Sequence, residues 1–432
     1  MNTNVLPFRI PVVLQPFPVG LYLHVGHNDH RDLADLVSSL PMGYSGCVLD
    51  ASWINKDRGC VLVERLNSAN AETVLDPMSL QAAFIGSRRS RFEELSWLSG
   101  GVHTPADWQG DYANQKLDEI VAFAVKHKFS AVLAPTHFIA SPNDPWLAID
   151  IANALVLKRK LQSKGVALFY RLAISNKVIV DAEQRDAIIH SMQRLDVDAL
   201  WLVIDHFSKD ASIAKFSAYC EVATAFHDFG IPLVADRVGG LPGLALAAFG
   251  VVSGIAHGVA QLESFSSTAL KQAPDPEQSS GGSPTPIYLG QLGASFKSAQ
   301  IVALANTRSV KRSQLFPTDL EICPNGPNDM IKSPRRSFVL QRAKEVQFLS
   351  MAPPEMRAGE FLEKIVRPMS DVAVALQGAA AKGQFDESLG KKLTSHSDNL
   401  RKLRTGFSER LVTSPTISRA VGLPTRLSRT GG

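Results

Sequence analysis

A (β/α)8 barrel with a basic, mainly helical appendage is the fold class that the sequence predicts, on three observations. Short, continuously apolar runs recur through the first 260 residues, as parallel strands covered on both faces would. Amphipathic helical patterns lie between several of them. A proline-, serine- and glycine-rich stretch then leads into a region of different character. A length of 432 residues with 45% hydrophobic content allows two or three domains and a real core.

Taken in order, the strand-like runs are Gly20–Val25, Gly46–Leu49, Thr73–Leu75, Ala131–Ala134, Ala167–Leu172, Leu200–Ile204, Ile231–Ala235 and Val251–Ala256. Helical patterns occupy Asn114–Lys126, Pro145–Ser163, Ala182–Leu195 and Ser212–Phe229. The last two end in LDVDALWLVID and HDFGIPLVAD, where a helix stops and a buried strand begins within a few residues. A doubly wound open sheet is the competing architecture, but no glycine-rich turn follows the first run as a dinucleotide fold requires. The barrel is assigned to residues 1–263, and residues 264–286 to a flexible linker. A helical basic region is assigned to 287–410 and a disordered tail to 411–432. Within the helical region, Arg336–Ser350, Glu355–Leu376 and Asp386–Ser408 read as amphipathic helices.

Composition narrows the function classes. The longest apolar stretch, Gly240–Val252, is too short and glycine-rich to span a bilayer, and the N-terminus lacks the pattern of a signal peptide. Cys47, Cys60, Cys220 and Cys323 are scattered and form no CxxC, which disfavours a disulfide framework. The expectation is a cytoplasmic protein without a membrane anchor. Its net charge of +4 is uneven: from Ile287 onward 22 Lys and Arg face 12 Asp and Glu, a net of +10. The preceding residues hold 23 against 29, a net of −6. An acidic front and a basic back fit a reaction domain beside a polyanion-binding surface, with Arg335, Arg336, Arg401, Lys402 and Arg404 as candidate phosphate contacts.

A barrel gathers its chemistry at the C-terminal ends of its strands. There the sequence places His24 and His27–His30, Asp50 and Trp53, Asp76 and Gln81, and Thr136-His137. Arg171, Asp205-His206, Asp236-Arg237-Val238-Gly239-Gly240, and His257 with Glu263 follow. Arg171 interrupts the apolar run FYRLAI, and a buried cation there demands a carboxylate partner from another strand end. Asp50 is also placed to cap the following helix. Asp236 and Arg237 are adjacent on a strand, so only one can look into the barrel. The glycines around Gly240 could let backbone amides grip a phosphate at a helix start. The histidines with Asp50, Asp205 and His257 have metal-ligand chemistry, but their spacing does not force them together, so no metal and no cofactor is called for.

These strand-end segments, read in order, resemble the tRNA-guanine transglycosylase superfamily, including its paralogue that modifies DNA with 7-deazaguanine. LHVGHNDHRDLADL is similar to the family's opening strand and helix, and Asp76-Pro77-Met78-Ser79-Leu80-Gln81 to its DSGGFQ base-recognition signature. Val238-Gly239-Gly240-Leu241-Pro242 followed by Gly250–Gly258 resembles the GVGTP segment and the strand after it. ICPNGPNDMIKSPRRSFVLQRAKEVQFL resembles the zinc motif and its helix. Only Cys323 of the zinc cysteines is kept, and Ile255 stands near the nucleophilic aspartate.

The resemblance implies cleavage of an N-glycosidic bond, as a glycosylase or a base-exchanging transglycosylase. Asp236 or Asp205 would act at the sugar, and Asp76, Gln81, His137 and Arg171 at the base. Asp50, His206, Arg237, Gly239, Gly240 and His257 would complete the substrate mouth. The substrate would be a flipped, modified base stacked on Trp53 or Tyr170, in DNA rather than tRNA, as in phage defence. A homo-oligomer is compatible with the sequence. Two other classes stand beside this one: a catalytically inactive barrel that binds nucleic acid or a protein partner, and a metal-dependent barrel hydrolase of a small molecule.

Overall fold

The computed structural model describes residues 18–26, 29–30, 33, 36, 45–54, 57–87, 90–272, 284–319, 322–413 and 420–423. His27, Asn28 and Glu321 lie outside them. Strands β1 (Gly20–Val25), β2 (Ser45–Asp50), β3 (Glu72–Asp76) and β4 (Ala131–Leu133) are followed by a two-residue strand, β5 (Phe138–Ile139). Then come β6 (Ala167–Ile174), β7 (Ala199–Ile204), β8 (Leu233–Asp236) and β9 (Gly254–Gly258). The sheet order is β4-β3-β2-β1-β9-β8-β7-β6-β5, and β4 pairs with β6 to close the ring. All its pairings are parallel. The result is a closed eight-stranded TIM barrel, β5 being the distal continuation of the β4 run beyond Pro135.

Helices α1 (Asp57–Ser68), α2 (Gly110–Lys126), α3 (Pro145–Gln162), α4 (Ala182–Met192), α5 (Ile213–Ala225) and α6 (Gly240–Ala248) join the strands. Their starts are chemically marked. Asp144 accepts from the Trp146 amide ahead of Pro145, Asp181 from Gln184, and Ser212 from Lys215. Boundaries read from sequence hold to within a few residues, except that the Ser212–Phe229 pattern is α5 plus a separate 3-10 turn, His227–Phe229.

Alternation along the strands sorts side chains into layers. Tyr22, Val48, Val74, Phe169, Trp201 and Val234 point inward and form an apolar floor. Their odd-numbered or even-numbered neighbours, such as Leu23, Tyr170 and Ile255, pack outward against the helices. A smaller apolar layer of Leu80, Phe138, Ala173, Val203 and Phe265 lies on the β5–β7 side of the mouth.

Two segments expected to be unstructured are parts of the barrel's closure. Residues 264–271 were expected within a linker, yet they form a strap across the mouth. Ser264 bridges Ser208, the Phe265 carbonyl accepts from the His206 amide at 3.0 Å, and Ser267–Lys271 is helical. Gly86 faces the carbonyls of Leu270 and Gln272 so closely that any side chain there would collide. Burial of Phe265 and Leu270 drives this docking, a term that composition does not reveal. The rest of the linker, 273–283, lies outside the described residues.

The expected tail is the second correction. Ala420 donates to Gly250 O, Val421 forms a parallel bridge with Pro232, and Leu423 enters the barrel floor.

Beyond the strap, a two-stranded antiparallel ribbon, β10 (Ile287–Leu289) and β11 (Ala294–Phe296), precedes a helical region. Its main helices are α7 (Pro334–Met351), α8 (Arg367–Ala381) and α9 (Glu387–Thr413). The Glu355–Leu376 pattern is interrupted by a π turn at Leu362–Val366, next to Pro368, whose ring nitrogen cannot donate into the preceding turn. Helix α9 runs past the expected boundary at residue 410. Among the described residues, no helix is long and apolar enough to cross a membrane.

The floor contact has a measurable consequence. Replacing Leu423 with Ala is expected to lower unfolding stability by about 2–3 kcal/mol, because a cavity opens beneath the barrel. Chemical denaturation checks this, and an unchanged midpoint would show that the C-terminal contact contributes nothing.

Candidate active site

Five of these six inward floor residues are followed, two positions on, by an inward polar group at the mouth; Trp201 leads to apolar Val203 instead. Tyr22 leads to His24, Val48 to Asp50, Val74 to Asp76, Phe169 to Arg171 and Val234 to Asp236. The charged layer sits directly above the apolar floor.

Arg171 is its centre and is only 3% exposed. Its Nε donates to Asp236 Oδ2 at 2.8 Å and its Nη1 to Asp76 Oδ2 at 2.8 Å. Asp236 is fully buried, and its Oδ1 lies 2.6 Å from His24 Nε2. Burial alone would raise the Asp236 pKa, but His24 and Arg171 overcome it and hold the carboxyl well below the usual carboxylate range. Asp76 is likewise lowered against burial, by Arg171 and by the Met78 amide that donates to its Oδ1 at 2.9 Å. Burial, reinforced by the Arg237 cation, pushes His24 down to about 4, so its ring is neutral at pH 7. The neutral ring then donates from Nε2 to the ionised Asp236. Nδ1 carries the lone pair and has no hydrogen-bond partner among the described residues.

Arg237 completes the cluster. It is half-buried, and burial lowers its pKa despite the carboxylates of Asp236, Asp76 and Asp50. Its backbone is left-handed, at φ 60°. Met78 (φ 66°) and His206 (φ 58°) adopt the same region just beyond Asp76 and Asp205. Residues with a side chain seldom tolerate this conformation, and such strain gathers where surrounding structure over-determines the chain. Asp50 accepts from the Ser52 amide and hydroxyl at 2.9 and 2.7 Å, so it caps Ala51–Ile54 while facing Arg237. Trp53 lies on that short helix and Gln81 on Ser79–Ala82, both half-buried beside the mouth.

Several expected site residues are held elsewhere. Asp205 receives the Ser267 amide and hydroxyl at 2.8 and 2.6 Å, which anchors the strap rather than joining the cluster. His206 is exposed beside it. Tyr170 has the wrong parity to line the barrel and packs outward, so it offers no wall for a base. His137 also turns away: its Nδ1 is 2.7 Å from Asp150 Oδ1, and its ring stacks on Trp146 at 3.5 Å.

The glycines do not present a free anion site. Glu263 Oε1 accepts from the Gly240 amide at 3.2 Å, and a side chain at Gly239 would strike that carboxylate. The chain's own acid therefore occupies the helix start where a phosphate was expected. Glu263 in turn meets Lys209 (3.3 Å) and the fully buried Arg342 (3.5 Å). His257 belongs to this second cluster, its ring 5.6 Å from that of Phe338, and burial and Arg342 push its pKa down to about 4. Arg342 and Glu263 are a buried ion pair that the sequence does not connect. The signal is Arg342 inside the run SFVLQRA, whose residues 337–343 are all buried.

The basic region is more balanced than its net charge. Arg335 pairs with Asp29 at 2.9 Å, Arg401 with Asp398 at 2.8 Å and Arg404 with Asp371 at 3.5 Å. Arg336 is exposed. Lys402 lines a cavity of about 1140 Å³ between the barrel and α9, with Lys209, Lys392, His396 and Glu263. Among the described residues, no three His, Cys, Asp or Glu side chains gather as a metal site, and Cys323 is a buried free thiol.

No protein-family model matches the chain, and no curated protein matches it. Solved structures similar to it include an orotidine 5'-monophosphate decarboxylase from Methanocaldococcus jannaschii, at 12% identity and a TM-score of 0.33. That match covers 59% of this chain and 96% of the decarboxylase. The YdjI aldolase from Escherichia coli K12 matches at 13% identity and 0.35, covering 79% and 93%. A GH18 chitinase from Flavobacterium johnsoniae matches at 11% and 0.27, covering 51% and 68%. Likeness at this level carries no argument about activity.

Two outcomes test the cluster. Replacing Arg171 with Met strands two buried carboxylates and is expected to cost about 3–5 kcal/mol in denaturant unfolding. The pH dependence has a defined sign. Unfolded His24 and His257 take up protons near pH 6.5, whereas the folded rings do so only near 4, so stability falls as pH drops between those values. The contribution of the depressed Asp76 and Asp236 persists above about pH 3.9 and is lost only as pH falls further. Thermal unfolding from pH 7 to 4 should show this decline, shallower in H257F; a flat profile contradicts both placements.

Proposed function

We propose that the chain hydrolyses the N-glycosidic bond of a base flipped out of DNA, with His24 and Asp236 activating the water. The observation that carries this reading is the 2.6 Å pair between an ionised, fully buried carboxylate and a neutral imidazole at the barrel mouth. Both Asp236 oxygens are already engaged, which favours an orienting role over covalent attack and hydrolysis over base exchange.

His24 Nδ1 takes a proton from water, and Asp236 stabilises the imidazolium that forms. The water oxygen bonds to the sugar's anomeric carbon while the bond to the base nitrogen breaks, its electron pair leaving with the base. The proton held on His24 then passes to the departing base. Three carboxylates (Asp50, Asp76, Asp236) against two guanidiniums (Arg171, Arg237) leave the cluster one negative charge in excess, which complements positive charge growing on the sugar. Arg171 and Arg237 face the charge that grows on the base. The resemblance to the transglycosylase superfamily supports this bond and this substrate class. The exposed Arg336 and Lys402 are available to phosphates, whereas Arg401 and Arg404 first have to leave Asp398 and Asp371.

Duplex and single-stranded oligonucleotides, unmodified and carrying modified bases, are to be incubated with the protein and scored for abasic sites. Asp236→Asn and His24→Ala are each expected to lower kcat by about 10²–10⁴-fold. Activity should hold across neutral pH and fall only as His24 protonates toward pH 4. Binding without abasic product on every nucleic acid would favour a barrel that binds without chemistry.

A further inference from the structure

Arg171 spends only two of its three nitrogens on Asp76 and Asp236. Its Nη2 is buried and has no hydrogen-bond partner among the described residues. A buried charged donor left unmade is costly, so its retention needs a reason. Arg237, beside it, makes no hydrogen bond or close ion pair among the described residues, although it is half-buried and close enough for Arg171 and three carboxylates to weigh on its charge. It is held there by a left-handed backbone.

The surroundings say what kind of acceptor is missing. Two positions beyond Arg171 on the same face of β6, buried Ala173 joins Phe138, Leu80, Val203 and Phe265 in an apolar layer that offers Nη2 no acceptor of its own and favours an uncharged one. A phosphate dianion would add to a cluster already carrying one excess negative charge. A carbonyl oxygen would not.

We propose that Arg171 Nη2 and the Arg237 guanidinium form a receptor for a carbonyl oxygen of the substrate base, so that the site takes oxo-substituted rings and rejects amino counterparts. This rests on the reading of the mouth as a base site. An amino group in that position would meet two guanidiniums donor to donor, and a site built for one hydrogen-bonding pattern discriminates strongly against its loss.

Calorimetric titration of the full chain tests it with hypoxanthine against adenine, uracil against 2-aminopyrimidine, and inorganic phosphate. Oxo rings are expected to bind at least about tenfold tighter than their amino partners. Arg237→Met removes a side chain that no described residue pairs with, and Arg171→Lys keeps a cation beside Asp76 and Asp236. Each should abolish the preference while circular dichroism stays native. Equal binding, preference for amino rings, no binding of any base, or phosphate bound more tightly than the bases overturns the receptor. The same bases placed in oligonucleotides separate the two readings. Oxo-selective binding without abasic sites removes the excision reading and keeps the receptor. Abasic sites without oxo preference keep excision and remove the receptor.

Discussion

A cation inside a barrel has to be neutralised from other strands, and that requirement at Arg171 organises the mouth. The guanidinium rises from β6 and reaches carboxylates on β3 and β8, so one side chain ties three strands across the barrel's interior. The pair interactions offset desolvation only with close geometry, which explains the two 2.8 Å contacts and the near-complete burial of all three partners. Everything chemical above the floor follows from it. Asp236 stays ionised because Arg171 is there, and His24 is oriented because Asp236 is ionised. Arg237 is left as a second cation that the cluster does not pair.

The C-terminal region is less an appendage than a second shell of the barrel. Arg342 from α7 reaches Glu263 just after β9, and Glu263 holds the Gly239-Gly240 turn that follows Arg237. Aromatic rings of Tyr288 and Phe338 flank the Arg342 guanidinium at 5.0 and 5.6 Å, in place of the water it has lost. The strap at residues 264–271 covers one side of the mouth, while Ala420–Leu423 close the opposite end. Both ends of the barrel thus depend on chain that lies after its last strand.

The barrel itself was legible because a continuous apolar run is what a strand covered on both faces requires, and helix starts carried their caps at Asp144, Asp181 and Ser212. The need of Arg171 for acidic partners was equally legible, since no cation is buried alone. Its choice of Asp76 and Asp236 over Asp205 was not, because Asp205 also ends a strand, and only the register sets it two residues further along than Asp236, where Ser267 meets it. Tyr170 and His257 show a simpler limit. Their parity relative to Arg171 and Ala256 decides which way they face, and inward parity is certain only once a neighbour's direction is known.

What the sequence determined by itself is therefore local and periodic: the strand rhythm, the caps, the polar groups at strand ends and the separation of charge between front and back. Which of those groups meet was decided by closure of the ring, which carries residues 95 and 65 positions from Arg171 to within hydrogen-bonding distance. The strap, the C-terminal floor contact and the Glu263 cap were decided the same way. Each rests on burial of a few side chains against distant surfaces, and that free energy exists only when both surfaces have formed.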